Sequence, residues 1–342
     1  MSNRLTPSET PCLAWDGIVW ILEAAGEAER GAMGLMRSLL LAGSESQWLR
    51  QRAPDLKFVS KAVRRFMPGE RLEDALTAAA GLGQHGIGAV LTQLGENVTD
   101  LVTANEVTRH YTEVLTKVGA SKLDCHISVK LTQLGLDVDA ARCHANLRSL
   151  VECAKELDTF VWIDMEQHTY VDATLEIYRR VQSEFPNTGI CLQAYLYRTA
   201  DDLASLIPLG GGVRLVKGAY REPASFAYPR KRDVDRNFLA LAKLMLTADA
   251  RAAGLRAVFG THDRRIIRDI ERHIDGAPAM RQACEFHLLF GIQRAEQARL
   301  ARGRYRVRVL ISYGEQWFPW YMRRLAERPA NVLFVVKSML SN

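Results

Sequence analysis

The chain has 342 residues, with 45 Lys and Arg against 39 Asp and Glu for a net charge of +6, 48% hydrophobic residues and 25% charged residues. These values exclude a disordered chain, a collagen-like chain and a simple coiled coil. The length suits two domains of about 150 residues each, or one α/β barrel of about 250 residues carrying an arm.

Positive charge in this mild excess permits an anionic substrate, an anionic cofactor or a membrane surface. No basic run is interleaved with aromatic residues, so nucleic acid is not expected as a partner. Arg230-Lys231-Arg232 is the densest basic stretch, and Asp233 and Asp235 break it at once, as on a solvated loop. The six cysteines form no Cys-x-x-Cys pair and no zinc-type block, which points to a reduced cytoplasmic protein. The start, Met-Ser-Asn-Arg-Leu-Thr-Pro, has no apolar h-region, and no stretch reaches the roughly 18 apolar residues of a bilayer span. Membrane contact, if any, is therefore expected to be peripheral, at the inner face.

In chain order, residues 14–80 read as helices. Ile18, Val19, Ile21 and Leu22, then Leu35, Met36, Leu39 and Leu40, recur at helical spacing, and Pro54 and Pro68-Gly69 punctuate. Residues 1–80 are accordingly assigned to a helical N-terminal arm, the segment left over for self-assembly or for docking on a membrane. From residue 87 the pattern changes to short apolar runs at 87–93, 126–131, 160–165, 189–195, 213–217, 256–260, 284–289 and 306–311. Amphipathic helical stretches separate them, for example at 140–157, 170–184, 233–253 and 263–273. Strand and helix in alternation mean a parallel sheet with right-handed crossovers. Eight such units predict a closed (β/α)8 TIM-like barrel over residues 81–342.

Active sites of such barrels lie at the C-terminal ends of the strands. Here those ends carry Lys130, Asp164, Gln193, Arg214 with Lys217, and Thr261-His262. Strands of a parallel barrel should be apolar on both faces, so charges at these positions require a ligand or one another. Either a structural ion-pair network, such as Lys130 with Asp164, or a site accounts for any one of them; five strand ends together favour a site. Asp164, Glu166 and His168 also offer three metal-ligand types at alternate positions, the basis of a rival reading as a metal-dependent barrel hydrolase or aldolase. No second cluster stands at another strand end to complete such a shell, and no metal is expected.

Several segments resemble the proline dehydrogenase family, over roughly residues 87–336. The strongest are Val213-Arg-Leu-Val-Lys-Gly-Ala-Tyr220 and Trp317-Phe-Pro-Trp-Tyr-Met-Arg-Arg324 with Leu-Ala-Glu-Arg-Pro-Ala-Asn331 after it. Gly260-Thr-His262, Glu285-Phe286 with Gly291-Ile292, Ser128-Val-Lys130, Ile163-Asp164 and Leu94-Gly-Glu96 match in the family's order. The likeness is greatest to the short monofunctional bacterial enzymes. It implies FAD in a distorted barrel, oxidation of L-proline to Δ1-pyrroline-5-carboxylate by hydride transfer to flavin N5, and a quinone as electron acceptor.

By the same resemblance Lys130, Arg323 and Arg324 would hold the substrate carboxylate. Asp164 would be the essential acid that orients this cationic cluster, and Arg214 would bond the flavin ring near its reactive nitrogen. Gln193 and Met165 would contact the ring. Val216, Lys217, Gly218 and Tyr220 would follow the ribityl-phosphate side, and Thr261 and His262 the cofactor beyond the ring. Glu96 would pair with Arg323 as a gate. Without the resemblance, Arg323-Arg324 reads as a solvated helix surface, His262 as a satisfied core histidine and Glu96 as an ordinary exposed glutamate.

Two positions depart from the family. Leu310-Ile-Ser312-Tyr-Gly314 stands where the family has Tyr-x-Pro-x-Gly, and Trp320 stands where it has Tyr. Both tyrosines line the family's ring pocket. A cyclic amino acid is therefore expected as substrate, L-proline first and a hydroxylated or otherwise modified ring as the alternative.

Overall fold

The computed structural model describes residues 65–317. The part of the arm before residue 65 lies outside the described residues, as do Trp320, Arg323 and Arg324. Strands β1 (Gly88–Gln93), β2 (Cys125–Val129), β3 (Val161–Ile163), β4 (Thr188–Gln193), β5 (Gly212–Val216), β6 (Arg256–Gly260), β7 (Cys284–Leu289) and β8 (Arg306–Tyr313) follow in sequence order. Each pairs with its neighbour in parallel, and β8 pairs with β1 to close the barrel. All eight strands read from the sequence are present, with ends displaced by two residues or fewer.

Ten α-helices lie among the described residues. The first, α1 (Leu72–Gly83), buries Leu72, Ala75 and Ala79 in the same core as β1 and β8. Then come α2 (Leu101–Ser121), α3 (Ala140–Glu156), α4 (Val171–Gln182), α5 (Thr199–Leu206), α6 (Lys231–Met245), α7 (Ala248–Ala252), α8 (Arg264–Ile274), α9 (Pro278–Ala283) and α10 (Arg294–Arg302). The stretch 233–253, expected as one helix, is two. The break falls at Leu246-Thr247, where the Thr247 hydroxyl accepts the Ala250 N–H and opens α7. Asp100, Asp139 and Asp263 cap α2, α3 and α8 in the same way, each accepting an N–H of the first turn.

Alternation along the strands divides the buried apolar residues in two. Ala89 and Leu91, Val161 and Ile163, Ala257 and Phe259, and Val309 and Ile311 join the cluster shared with the helices. The residues between them, Val90, Trp162, Val258 and Leu310, form a separate cluster with Phe160 on the opposite face of the strands, inside the barrel. The other positions of this inner face are largely polar: His126 and Ser128 on β2, Arg214 on β5, Glu285 and His287 on β7, Arg308 on β8. Gly212 makes room for this filling, since a Cβ there would lie 2.8 Å from the Phe160 ring and 2.9 Å from Trp162.

Candidate active site

Three charged residues from three strands meet at the C-terminal mouth. The Lys130 ammonium lies 3.4 Å from Asp164 Oδ2. The Arg214 guanidinium is ion-paired to Asp164 Oδ1. Ser128 joins them: its hydroxyl donates to Asp164 Oδ1 at 2.8 Å and accepts from Arg214 Nη2 at 2.9 Å. The Arg214 guanidinium also stands over the Trp162 ring at 5.2 Å, and its side chain is 5% exposed. A positive charge so deep in the barrel is tolerated because the indole face and a carboxylate surround it.

Position on the strands explains the cluster. Ser128 and Lys130 are two residues apart, as are Trp162 and Asp164, so each pair projects to the same side at successive heights. Tyr111 on α2 pins this corner by donating to the Ser128 carbonyl at 3.0 Å and accepting the Gln93 N–H at 2.9 Å.

Burial would raise the Asp164 pKa, but Arg214, Lys130 and the Ser128 hydroxyl outweigh it and hold the carboxyl below its ordinary value. Burial would likewise lower the Lys130 pKa; Asp164 and then Glu96 outweigh that, and the ammonium is held above its usual range. Both groups are therefore charged at neutral pH. Glu166 behaves in the opposite way. It accepts the Thr132 N–H at 3.1 Å and the Thr132 hydroxyl at 2.6 Å, yet its burial raises its pKa to about 7.

The remaining sequence-identified residues surround this cluster. Gln193 donates to the Met165 carbonyl at 3.3 Å, while its Oε1 is buried without a partner. Val216 ends β5 half-buried. Lys217 extends to Asp235 at 2.5 Å and Asp263 at 2.8 Å, so its ammonium is already neutralised by two carboxylates. Gly218 has φ +108°, and a Cβ on it would lie 2.4 Å from the Tyr195 ring, so only glycine lets the chain pass there. The Tyr220 hydroxyl donates to Glu96 at 3.3 Å. Thr261 is buried and accepts the Asp263 N–H at 3.2 Å, and His262 Nε2 accepts the Leu289 N–H at 2.8 Å. Leu310 is half-buried against the cluster of Val90, Phe160, Trp162 and Val258.

Sequence reasoning missed Ser128 as a member of the site, although its place two residues before Lys130 on one strand face was a usable signal. It also missed Glu222, which stands in the loop after β5. Its carboxylate accepts the His168 N–H at 2.9 Å and the Tyr195 hydroxyl at 3.3 Å, and it is paired with the His168 ring. That loop folds back onto the one after β4, with Leu196 bridged to Ala227. The supposed metal triplet does not converge: Asp164 faces Lys130 and Arg214, Glu166 faces Thr132, and His168 faces Glu222. Among the described residues no group of three His, Cys, Asp or Glu side chains stands together as metal ligands would.

Five of the buried polar side-chain atoms without a hydrogen-bond partner lie at this end of the barrel: Thr92 Oγ1, Gln93 Oε1, Gln133 Oε1, Gln193 Oε1 and Ser312 Oγ. Buried polar atoms find partners in folded proteins, so this end is built to meet a polar ligand or ordered water.

A family-wide sequence profile described as proline dehydrogenase matches residues 75–337. Proline dehydrogenase 1 of Bacillus subtilis subsp. natto is 38% identical over 278 residues, which cover 81% of this chain and 90% of that protein. Proline dehydrogenase of Deinococcus radiodurans is 39% identical over 283 residues, with the same coverage of both chains. Among solved structures, proline utilization A from Bdellovibrio bacteriovorus inactivated by N-propargylglycine superposes with a TM-score of 0.74 at 23% identity. That match covers 90% of this chain and 38% of that one, and it speaks to the fold.

Proposed function

The chain belongs to the proline dehydrogenase family, and we propose that it oxidises L-proline to Δ1-pyrroline-5-carboxylate with FAD as its resident cofactor, in proline catabolism. The observation that carries this reading is the junction of Lys130, Asp164 and Arg214 at the barrel mouth, with Ser128 between them.

The residues present fit a flavin. Gln193 Oε1 is a buried acceptor in need of a donor, and a flavin ring carries an imide N–H. Arg214 offers a fixed positive charge, which would stabilise negative charge on a bound flavin ring. Gly218, where no side chain fits, leaves backbone at the edge of the site. FAD, when bound, supplies the two-electron acceptor that no side chain can provide. Gln193, Met165 and Arg214 would hold the ring. Val216, Lys217, Gly218 and Tyr220, with Thr261 and His262, would hold the rest, Lys217 through its backbone because its ammonium is occupied.

Substrate orientation falls to the cations. Lys130 takes one side of the substrate carboxylate, and Arg323 and Arg324 would take the other with bidentate guanidinium forks. Asp164 keeps Lys130 charged and aimed. Glu96, bonded to Tyr220, would close the site by pairing with Arg323. Fixing the carboxylate fixes the ring carbon beside nitrogen relative to the cofactor, and that positioning is the protein's main contribution to rate. Oxidation of the C–N bond requires the neutral amine, because an ammonium has no lone pair for the developing imine. Activity should therefore rise from neutral to mildly alkaline pH. A quinone would be the final electron acceptor, with the protein working in the cytoplasm and meeting the membrane peripherally. No described helix is long and apolar enough to cross a membrane.

The deciding experiment follows the absorbance spectrum of purified protein anaerobically as L-proline is added. A flavin spectrum that bleaches with proline supports cofactor, reaction and substrate together. A protein that neither carries nor takes up FAD would overturn the reading.

A further inference from the structure

The barrel has a second mouth, at the N-terminal ends of the strands and so opposite the candidate active site. A cavity of about 650 Å³ opens there. Its lining includes Arg251 on α7, Arg256 at the start of β6, Arg306 and Arg308 at the start of β8, His126 on β2 and Gln282 on α9.

Four guanidiniums in one cavity repel one another unless anions sit among them. Two are accounted for. Arg256 donates to Glu285 Oε2 at 3.0 and 2.6 Å. Arg308 reaches Asp124 at 2.7 Å, and its Nε lies 2.9 Å from Glu285 Oε1, in ion-pair contact but without an aligned hydrogen bond. The same carboxylate takes the His287 ring at 2.9 Å, so Glu285 is saturated. Arg251 and Arg306 have no carboxylate within ion-pair distance among the described residues. Arg251 Nε is in addition buried with no acceptor. His126, 6% exposed, accepts the Trp162 indole N–H on Nδ1 at 3.1 Å, so the ring proton sits on Nε2 and that nitrogen is a donor. Burial and the neighbouring Arg308 and Arg256 hold its pKa well below the ordinary value, which keeps it a neutral donor at physiological pH. Among the described residues the cavity thus presents donors in excess and carries two guanidiniums, Arg251 and the solvent-exposed Arg306, with no carboxylate partner.

We propose that this N-terminal mouth is a binding site for a small soluble multivalent oxyanion, one that carries two phosphate or carboxylate groups. Guanidinium forks match either group bidentately, and the volume falls in the range of small-molecule sites, roughly 300–1,000 Å³. A recess with His126 at its lining admits a small ligand more readily than it meets the flat surface of a bilayer. The site is separate from the proline chemistry, and its occupant touches none of the residues assigned to it.

The test is isothermal titration of the FAD-loaded enzyme with inorganic pyrophosphate, against sodium chloride at matched ionic strength. Saturable binding with a dissociation constant below about 1 mM is expected. The Arg251→Gln/Arg306→Gln double variant should bind at least about 10-fold more weakly. Its proline turnover without pyrophosphate should match that of the parent. Gln282→Glu, a change at an exposed helix position, puts a carboxylate at the cavity and should weaken binding in the same direction should the double variant not fold. Equal heats from chloride, or unchanged affinity in the variants, would overturn the proposal. So would the absence of pyrophosphate binding together with arginine-dependent capture on phosphatidylglycerol vesicles, which would reassign the arginines to a membrane surface.

Discussion

Arg214 and Asp164, 50 residues apart in sequence and on β5 and at the end of β3, are ion-paired inside the barrel mouth with Ser128 hydrogen-bonded to both. The Asp164 carboxylate thereby serves two cations at once, since Lys130 lies 3.4 Å from its other oxygen. Removing one partner of a buried pair strands the others without compensation, which costs about 3–5 kcal/mol. Asp164→Ala is accordingly expected to lower unfolding stability by an amount of that order and to abolish proline-dependent flavin reduction. Urea titration at neutral pH measures the first effect. Since the folded carboxyl titrates below its unfolded value, this stabilisation is complete above about pH 4 and is lost only as pH falls through the lowered folded value. An Asp164→Ala protein as stable as the parent at pH 7 would contradict the ion-pair account.

Ser128→Ala removes one hydrogen bond to Asp164 and one to Arg214 but leaves the ion pair. The expected stability loss is about 1–2 kcal/mol. Turnover should fall by roughly 10-fold with KM for proline little changed, because Arg214 loses a positioning contact while the substrate carboxylate keeps its cations. A change confined to KM would mean that Ser128 acts on substrate binding instead.

The strands were legible in the sequence because each is a short β-branched run between helical stretches, and a closed barrel is the natural solution for eight such units. The charges at strand ends were legible for the same reason: Lys130, Asp164 and Arg214 interrupt apolar runs where a ligand face is due. What pairs with what was not legible. Ser128 meets Arg214 across 86 residues, and that contact depends on register around the barrel rather than on local pattern. The polar filling below the site was hidden as well. Arg256, Glu285, His287 and Arg308 occupy inner positions of strands that read as simply apolar, and they are tolerated because they satisfy one another. The clamp assigned to Arg323 and Arg324 rests on resemblance, with both residues outside the described part of the chain.

Glu166 gives the fold a pH dependence near neutrality. Its pKa is raised by burial from 4.5 to about 7. Between those values the folded protein keeps a proton that the unfolded chain has released, so stability falls as pH rises through this window. By about pH 8 the full penalty applies, of order 3 kcal/mol if the unfolded value is ordinary. Glu166→Gln retains an acceptor for the Thr132 N–H and carries no charge. Relative to the parent, the variant should therefore gain stability between pH 5 and pH 8, by about 2–3 kcal/mol in denaturant titrations. A difference that stays constant across this range would place the Glu166 pKa outside it.

Leu310, one of the two positions where the resemblance implies a departure from the family's ring pocket, faces the barrel interior beside Val90, Trp162 and Val258. On the proposed assignment of Leu310 to the substrate pocket, leucine there offers no hydroxyl and less volume than tyrosine and would leave room over the substrate ring. Leu310→Tyr should fill that room. It should move the ratio of kcat/KM for L-proline over that for 4-hydroxyproline toward proline by about 10-fold, the scale set by a single pocket contact. Packing a larger ring against the inner cluster should at the same time cost about 1–3 kcal/mol of stability, readable as a lowered Tm. Steady-state assays of both substrates with parent and variant decide the matter: an unchanged ratio with a lowered Tm would mean that Leu310 packs the barrel without lining the substrate pocket.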